Sequence, residues 1–223
     1  MIPSFALERA QEVILALGQL RARGTIPRIP VYVDSPLATK LTDVFRRHPD
    51  CYGRDAYALL RDGTPFEFDD LAYVTEVEQS KAIDASPGPA VVIAGSGMCE
   101  GGRVLHHLRT MIEDVRNTIA LVGFQAEHTL GRRIAERRPQ VKIFGMMHEL
   151  HAEIVVLDGF SAHADQRGLV EFAHAVRSRG PLRRVFLVHG EPHAQAALAQ
   201  QLTARGLAEV AAPGPGDRVR LVG

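Results

Sequence analysis

A chain of 223 residues with 46% hydrophobic and 23% charged residues has a globular composition, with length for one sizeable core or two modest ones. No apolar run approaches the roughly 20 residues needed to cross a bilayer, and the opening residues lack the basic, apolar and small-residue order of a signal peptide. Basic and acidic residues number 26 each, so no polyanionic partner is demanded, and Cys51 and Cys99 are too few for a disulfide framework. A reducing, cytoplasmic setting is the expectation, with no membrane partner.

In chain order, Ser4 is placed to cap a helix that carries Ala6, Ala10, Val13, Ile14, Leu17 and Leu20 at helical spacing and stops at Gly24. Pro30 to Asp34 reads as a strand, and Ser35-Pro36 caps a helix from Leu37 to Arg47. Residues 49–70 read as loop with short helical pieces, and Ser80 to Ala85 as another helical piece. Ala90 to Ala94 is a strand, Gly102 to Ile112 a helix, Thr118 to Val122 a strand and Thr129 to Glu136 a helix. This alternation predicts an α/β fold with a parallel sheet covered by helices. After Pro139 the pattern from Val141 to Leu157 is closer to antiparallel strands. A helix from Gln166 to Arg177, a strand at Val185, a helix from Ala194 to Arg205 and a last strand from Arg218 to Val222 follow. The change of pattern puts a boundary near residue 140, dividing the chain into 1–140 and 141–223.

Four places have residues suited to chemistry. At Val33-Asp-Ser-Pro-Leu-Ala38 a strand meets a helix, whose free amides can receive an anion beside Ser35, although a plain helix cap has the same form. Gly95-Ser-Gly-Met-Cys-Glu-Gly-Gly-Arg103 is a glycine-rich turn in which the main chain around Ser96 and Gly97 can approach a ligand and Arg103 can address a phosphate. It matches neither the Walker pattern nor a dinucleotide fingerprint, and a tight structural turn fits it equally. The remaining two are histidines where apolar runs stop. His163 lies between Ser161 and Asp165, an arrangement suited to proton transfer, and His189 ends a strand that fixes an imidazole well enough to bind metal. One histidine is not a zinc site. His148 and His151 miss the HExxH spacing because position 152 is alanine, Pro192 separates His189 from His193, and His106 and His107 diverge on a helix. These five other histidines read as surface or core residues.

Taken together, Ile2-Pro-Ser-Phe-Ala-Leu-Glu-Arg-Ala-Gln-Glu12, Asp34-Ser-Pro-Leu-Ala38, Gly95-Ser-Gly-Met98 with Gly101-Gly-Arg103, Gly123-Phe-Gln-Ala-Glu127 with Thr129-Leu-Gly131, Gly159-Phe-Ser-Ala-His-Ala-Asp165 and Val188-His-Gly-Glu191 resemble the successive blocks of the β-CASP metallo-β-lactamase-fold nucleases. This family includes the pre-mRNA 3′-end cleavage endonuclease and the RNase J enzymes. The resemblance implies a β-CASP domain over 1–140, then the C-terminal RNA-specificity segment of an αββα metallo-β-lactamase domain over 141–223. It further implies RNA as substrate, His163 with Asp165 at the scissile phosphate, phosphate-holding groups at Ser161 and Ala162, and His189 as a ligand of a two-zinc centre. In such a centre the metals activate a water and neutralise charge on the phosphodiester.

The family's His-x-His-x-Asp-His block is not found, and no His-x-His occurs anywhere in the sequence. The expectation is therefore the later portion of a zinc-dependent ribonuclease, inactive alone because the N-terminal metallo-β-lactamase half is missing, and inclined to self-associate. Two alternatives are a non-catalytic RNA-binding or scaffold subunit and a free-standing doubly wound domain with a small-molecule phosphate site.

Overall fold

The computed structural model describes residues 1–53, 57, 65–161, 163–207 and 209–221, and the chain divides into two compact units, 1–161 and 162–223. In the first unit β1 (Ile2–Pro3), β2 (Val31–Asp34), β3 (Leu71–Tyr73) and β4 (Val91–Ala94) form a parallel sheet in the order β1-β4-β2-β3. Next to it, β5 (Thr118–Leu121) is joined to β1 by backbone bonds from Met1 N to Thr118 O and from Ala120 N to Met1 O, both 2.8 Å. A hairpin of β6 (Gln140–Ile143) and β7 (Met146–Glu149) is antiparallel, and β8 (Glu153–Val156) runs parallel to β5.

Strand alternation sorts the core into two layers. Ile93 of β4 packs with Val13 and Ile14 of α1 (Arg9–Ala22) and with Ala38 of α2 (Pro36–Arg47). Past α3 (Val77–Ala85), the neighbouring strand residue Ala94 packs with Leu108 of α4 (Val104–Met111) and Ile134 of α5 (Leu130–Ala135). Adjacent strand residues point to opposite faces, so helices cover both faces of the sheet, as a parallel sheet requires. The α/β architecture expected from the sequence is present. The same alternation puts Val33 against α1 and α2 and turns Asp34 to the other face, where it is fully buried.

The second unit is small. Its α6 (Gln166–Arg179) and α7 (Pro192–Ala204) pack on the parallel pair β9 (Arg184–Phe186) and β10 (Glu209–Ala211) around Val170, Ala173, Leu202 and Leu207. Phe172 and Val188 remain exposed.

Three local expectations are corrected, and one strand is added. Ser4 does not cap α1: its amide bonds Ala94 O at 2.9 Å, extending the β1–β4 ladder, so the helix waits until Arg9, after Glu8 at φ 63°. Residues 71–73, with only three strand positions, carry too short a pattern to stand out, yet pair with β2. Within 141–157 only β6 and β7 are antiparallel, because β8 finds its partner in β5. The last strand is Glu209–Ala211 rather than 218–222. Val210 joins the small core, whereas Val219 and Leu221, beyond the turn closed by the Asp217 N to Gly214 O bond, stay exposed, and Val222 lies outside the described residues, as does most of 54–64.

Candidate functional site

The turn after β4 is built by its glycines and clamped by a second segment. A Cβ at Gly97 would sit 2.9 Å from the Phe5 backbone nitrogen, and one at Gly102, at φ +83°, would sit 2.6 Å from Gly95 O. Only glycine tolerates both the close approach and the left-handed backbone. Inside the turn Ser96 N donates to Gly101 O at 3.0 Å, and Ser96 Oγ accepts from Glu100 N at 3.0 Å and Gly101 N at 3.3 Å. From the segment before α5, Gln125 Nε2 donates to Gly97 O and Gly123 O, both at 3.0 Å, and from the first turn of α5 Gly131 N donates to Met98 O at 3.0 Å. The two glycine-bearing motifs are thus one substructure.

Four of the sequence candidates meet there. Ser35, Ser96, Gly97 and Arg103 line one surface hollow of about 540 Å³, together with Phe5 and Leu37. Ser35 caps α2 by accepting from Ala38 N at 3.2 Å, so the positive end of that helix lies at the wall. A hydroxyl has one proton and two lone pairs. Both serine oxygens use lone pairs on backbone amides, and among the described residues neither proton has an acceptor. The hollow therefore presents two O–H donors, a helix N-terminus and an arginine beside an exposed aromatic ring.

Arg103 is held from below. Its Nη1 donates to Asp34 Oδ1 at 2.6 Å and to Val74 O at 3.2 Å, and Nη2 donates to Thr75 O at 2.5 Å. The second Asp34 oxygen accepts from Ser80 Oγ at 2.5 Å and lies 2.7 Å from His107 Nε2, while His107 Nδ1 lies 2.5 Å from Asp84 Oδ1. Burial alone pushes the Asp34 carboxyl up, but hydrogen bonds from His107, Ser80 and Arg103 outweigh it and hold it below the usual range. Burial pulls His107 down, and its bonds to Asp34 and Asp84 outweigh that and raise it. Sequence reasoning passed over this cluster. The available signal was Asp34 itself, a carboxylate ending an apolar strand, where an unpaired charge is not tolerated.

Of the other candidates, Ser161 ends the first unit, and His163, Asp165 and His189 belong to the second. Ser161, His163, Asp165 and His189 are exposed, and Ala162 lies outside the described residues. Asp165 caps α6, its Oδ1 accepting from Gly168 N at 2.7 Å. His189 has φ +73°, and its carbonyl accepts from Gln195 Nε2 at 3.0 Å. Zinc needs three or four converging donors. Within neither unit taken by itself do three His, Cys, Asp or Glu donors converge among the described residues. His189 and its own unit therefore do not fit a complete zinc centre. His148 and His151 are engaged instead with the side chain and carbonyl of Glu113, at 3.0 and 3.1 Å. Among the described residues no helix is long and apolar enough to cross a membrane.

Two family models match the chain, the Beta-Casp domain over residues 10–134 and the Zn-dependent metallo-hydrolase RNA specificity domain over residues 147–213. The chain belongs to the β-CASP ribonuclease family and covers the C-terminal part of its architecture. It is similar to Ribonuclease TTHA0252 of Thermus thermophilus, with 40% identity over 92% of this chain and 46% of that protein. It is also similar to the Transcription termination factor FttA of Methanosarcina mazei, at 34% over 91% of this chain and 32% of the relative. The FttA of Pyrococcus abyssi is 32% identical over 99% of this chain and 35% of its own length. The chain thus spans less than half the length of these relatives.

Proposed function

We propose that the chain is the RNA-holding portion of a zinc-dependent ribonuclease of the cytoplasm, and that its glycine-turn hollow grips a phosphate of single-stranded RNA. The observation that carries this reading is the convergence of Ser35, Ser96, Gly97 and Arg103 on one hollow with Phe5 at its wall. Two hydroxyl protons, the positive end of α2 and a guanidinium suit a phosphate, and an exposed aromatic ring suits a base stacked beside it. Its membership of a family with an RNA-specificity segment supports RNA over a small-molecule phosphate ester.

By the family resemblance His163 serves as the acid at the scissile phosphate, steadied by Asp165, with Ser161 and the Ala162 amide holding phosphate oxygens. His189 contributes one ligand to a two-zinc centre whose other ligands come from outside this chain, so the chain alone does not cleave. The interval between the matched segments, 134 to 147, supports a seam near residue 140 between the β-CASP part and the metallo-β-lactamase part. The same shortage of donors favours, as a second reading, a non-catalytic RNA-binding or scaffold subunit.

Anisotropy of a labelled single-stranded oligouridylate tests the hollow. Phe5→Ala and Ser96→Ala are each expected to weaken binding roughly fivefold to tenfold, the worth of one stacked base or one phosphate hydrogen bond. Unchanged affinity in both folded variants overturns the assignment.

A further inference from the structure

We propose that His107, hydrogen-bonded between Asp34 and Asp84 beneath the glycine turn, is a positioning residue that aims the Arg103 guanidinium and offsets negative charge under the hollow. The inference rests on reading that hollow as a phosphate site, and it adds a residue that does not line it.

The geometry leaves His107 little choice of state. Its side chain is fully buried, and both ring nitrogens lie within 2.7 Å of carboxylate oxygens. An ionised carboxylate only accepts, so two such bonds at once require a proton on both nitrogens. The charged groups facing it come from three places: Asp34 at the end of β2, Asp84 on α3, and Arg103 just before α4, with the neutral Ser80 of α3 completing the set. With His107 protonated, two carboxylates face two cations and the cluster is neutral. Removing that proton leaves one net negative charge in the cluster, of which Asp34 lines the hollow where the phosphate is to sit.

Asp34 is the connecting part. It lines the hollow and spends one oxygen on Arg103 and the other on His107 and Ser80. Losing the His107 bond frees the carboxylate to turn toward its remaining partners, and Arg103 loses its fixed aim. Both consequences act on the ligand: a misdirected cation and a repulsive floor.

Two measurements on the whole chain separate the inference from the reading beneath it. The first is NMR of the Arg103 guanidinium in free protein, comparing the unsubstituted chain across pH with His107→Gln and the milder Asp84→Asn. Restricted, dispersed Arg103 Nη signals are expected in the unsubstituted chain. They should collapse toward averaged signals in H107Q and, in the unsubstituted chain, as pH rises above the ordinary histidine range. The second is oligouridylate anisotropy at constant ionic strength over the same pH series. Binding should fall on the alkaline side and be roughly tenfold weaker and pH-independent in H107Q. Arg103 signals indifferent to both H107Q and pH overturn the proposal, and the pH series stands even if H107Q does not fold. Arg103 signals that respond while no oligouridylate binds at any pH leave His107 as the positioning residue and overturn the phosphate site instead.

Discussion

A single buried carboxylate organises the first unit. Asp34 has no exposure, and such a charge survives burial only with partners on both oxygens, which Arg103, His107 and Ser80 supply. This gives the stability a pH window. Asp34 is depressed from 3.8, so its contribution is present above that value and is lost as pH falls through the lower folded value. His107 is raised from 6.5, so its contribution is full below 6.5 and is lost as pH rises through the higher folded value. The melting temperature followed by circular dichroism should therefore be highest between about pH 4 and 6.5 and decline on both sides, and H107Q should lose the alkaline decline. A flat profile through pH 8 would contradict the pairing. The sequence already marked Ser35, Ser96, Gly97 and Arg103, since each stands at the junction of an apolar run and a helix. It did not mark His107, because Asp34, Ser80, Asp84 and His107 are separated by up to 73 residues and only the fold joins them.

At the scale of elements, the glycine turn depends on its clamp. Gln125 is buried and gives both amide protons to main-chain carbonyls of two different turns. Gln125→Ala should destabilise the first unit by about 1–3 kcal/mol, measured by urea denaturation, because it orphans buried carbonyls. Helix α6 offers a different test. Asp165 caps it, and asparagine caps as well as aspartate, whereas alanine costs about 1 kcal/mol. Asp165→Asn should therefore keep the stability of the second unit while Asp165→Ala lowers it, as urea denaturation will show. Most helices and the longer strands were readable because their apolar spacing is regular. The ends were less so. Ser4 carries a cap-like sequence, but a ladder bond to Ala94 decides its conformation, and 218–221 alternates like a strand yet has no core to face. Such outcomes are set by tertiary partners that local pattern does not contain.

For the whole molecule, the two units differ in how much apolar surface they bury. The first has two helix layers on an extended parallel sheet. The second has two helices on two strands of three residues each, with Phe172 and Val188 left exposed. A two-stranded sheet with so small a core is marginal. Amide hydrogen exchange should show the second unit opening far more readily than the first, and light scattering should show concentration-dependent association through its apolar surface. Equal protection of Ile119 and Val185 amides would contradict this asymmetry. Among the described residues neither unit by itself brings three His, Cys, Asp or Glu donors together, and the proposed role of His189 is that of one zinc ligand among several. Zinc content of the purified chain, after equilibration with zinc and removal of loose metal, tests this most directly. Well below one tightly held zinc per chain and no chelator-sensitive RNA cleavage are expected, whereas two retained zinc ions accompanied by such cleavage would contradict the proposed division of the metal centre.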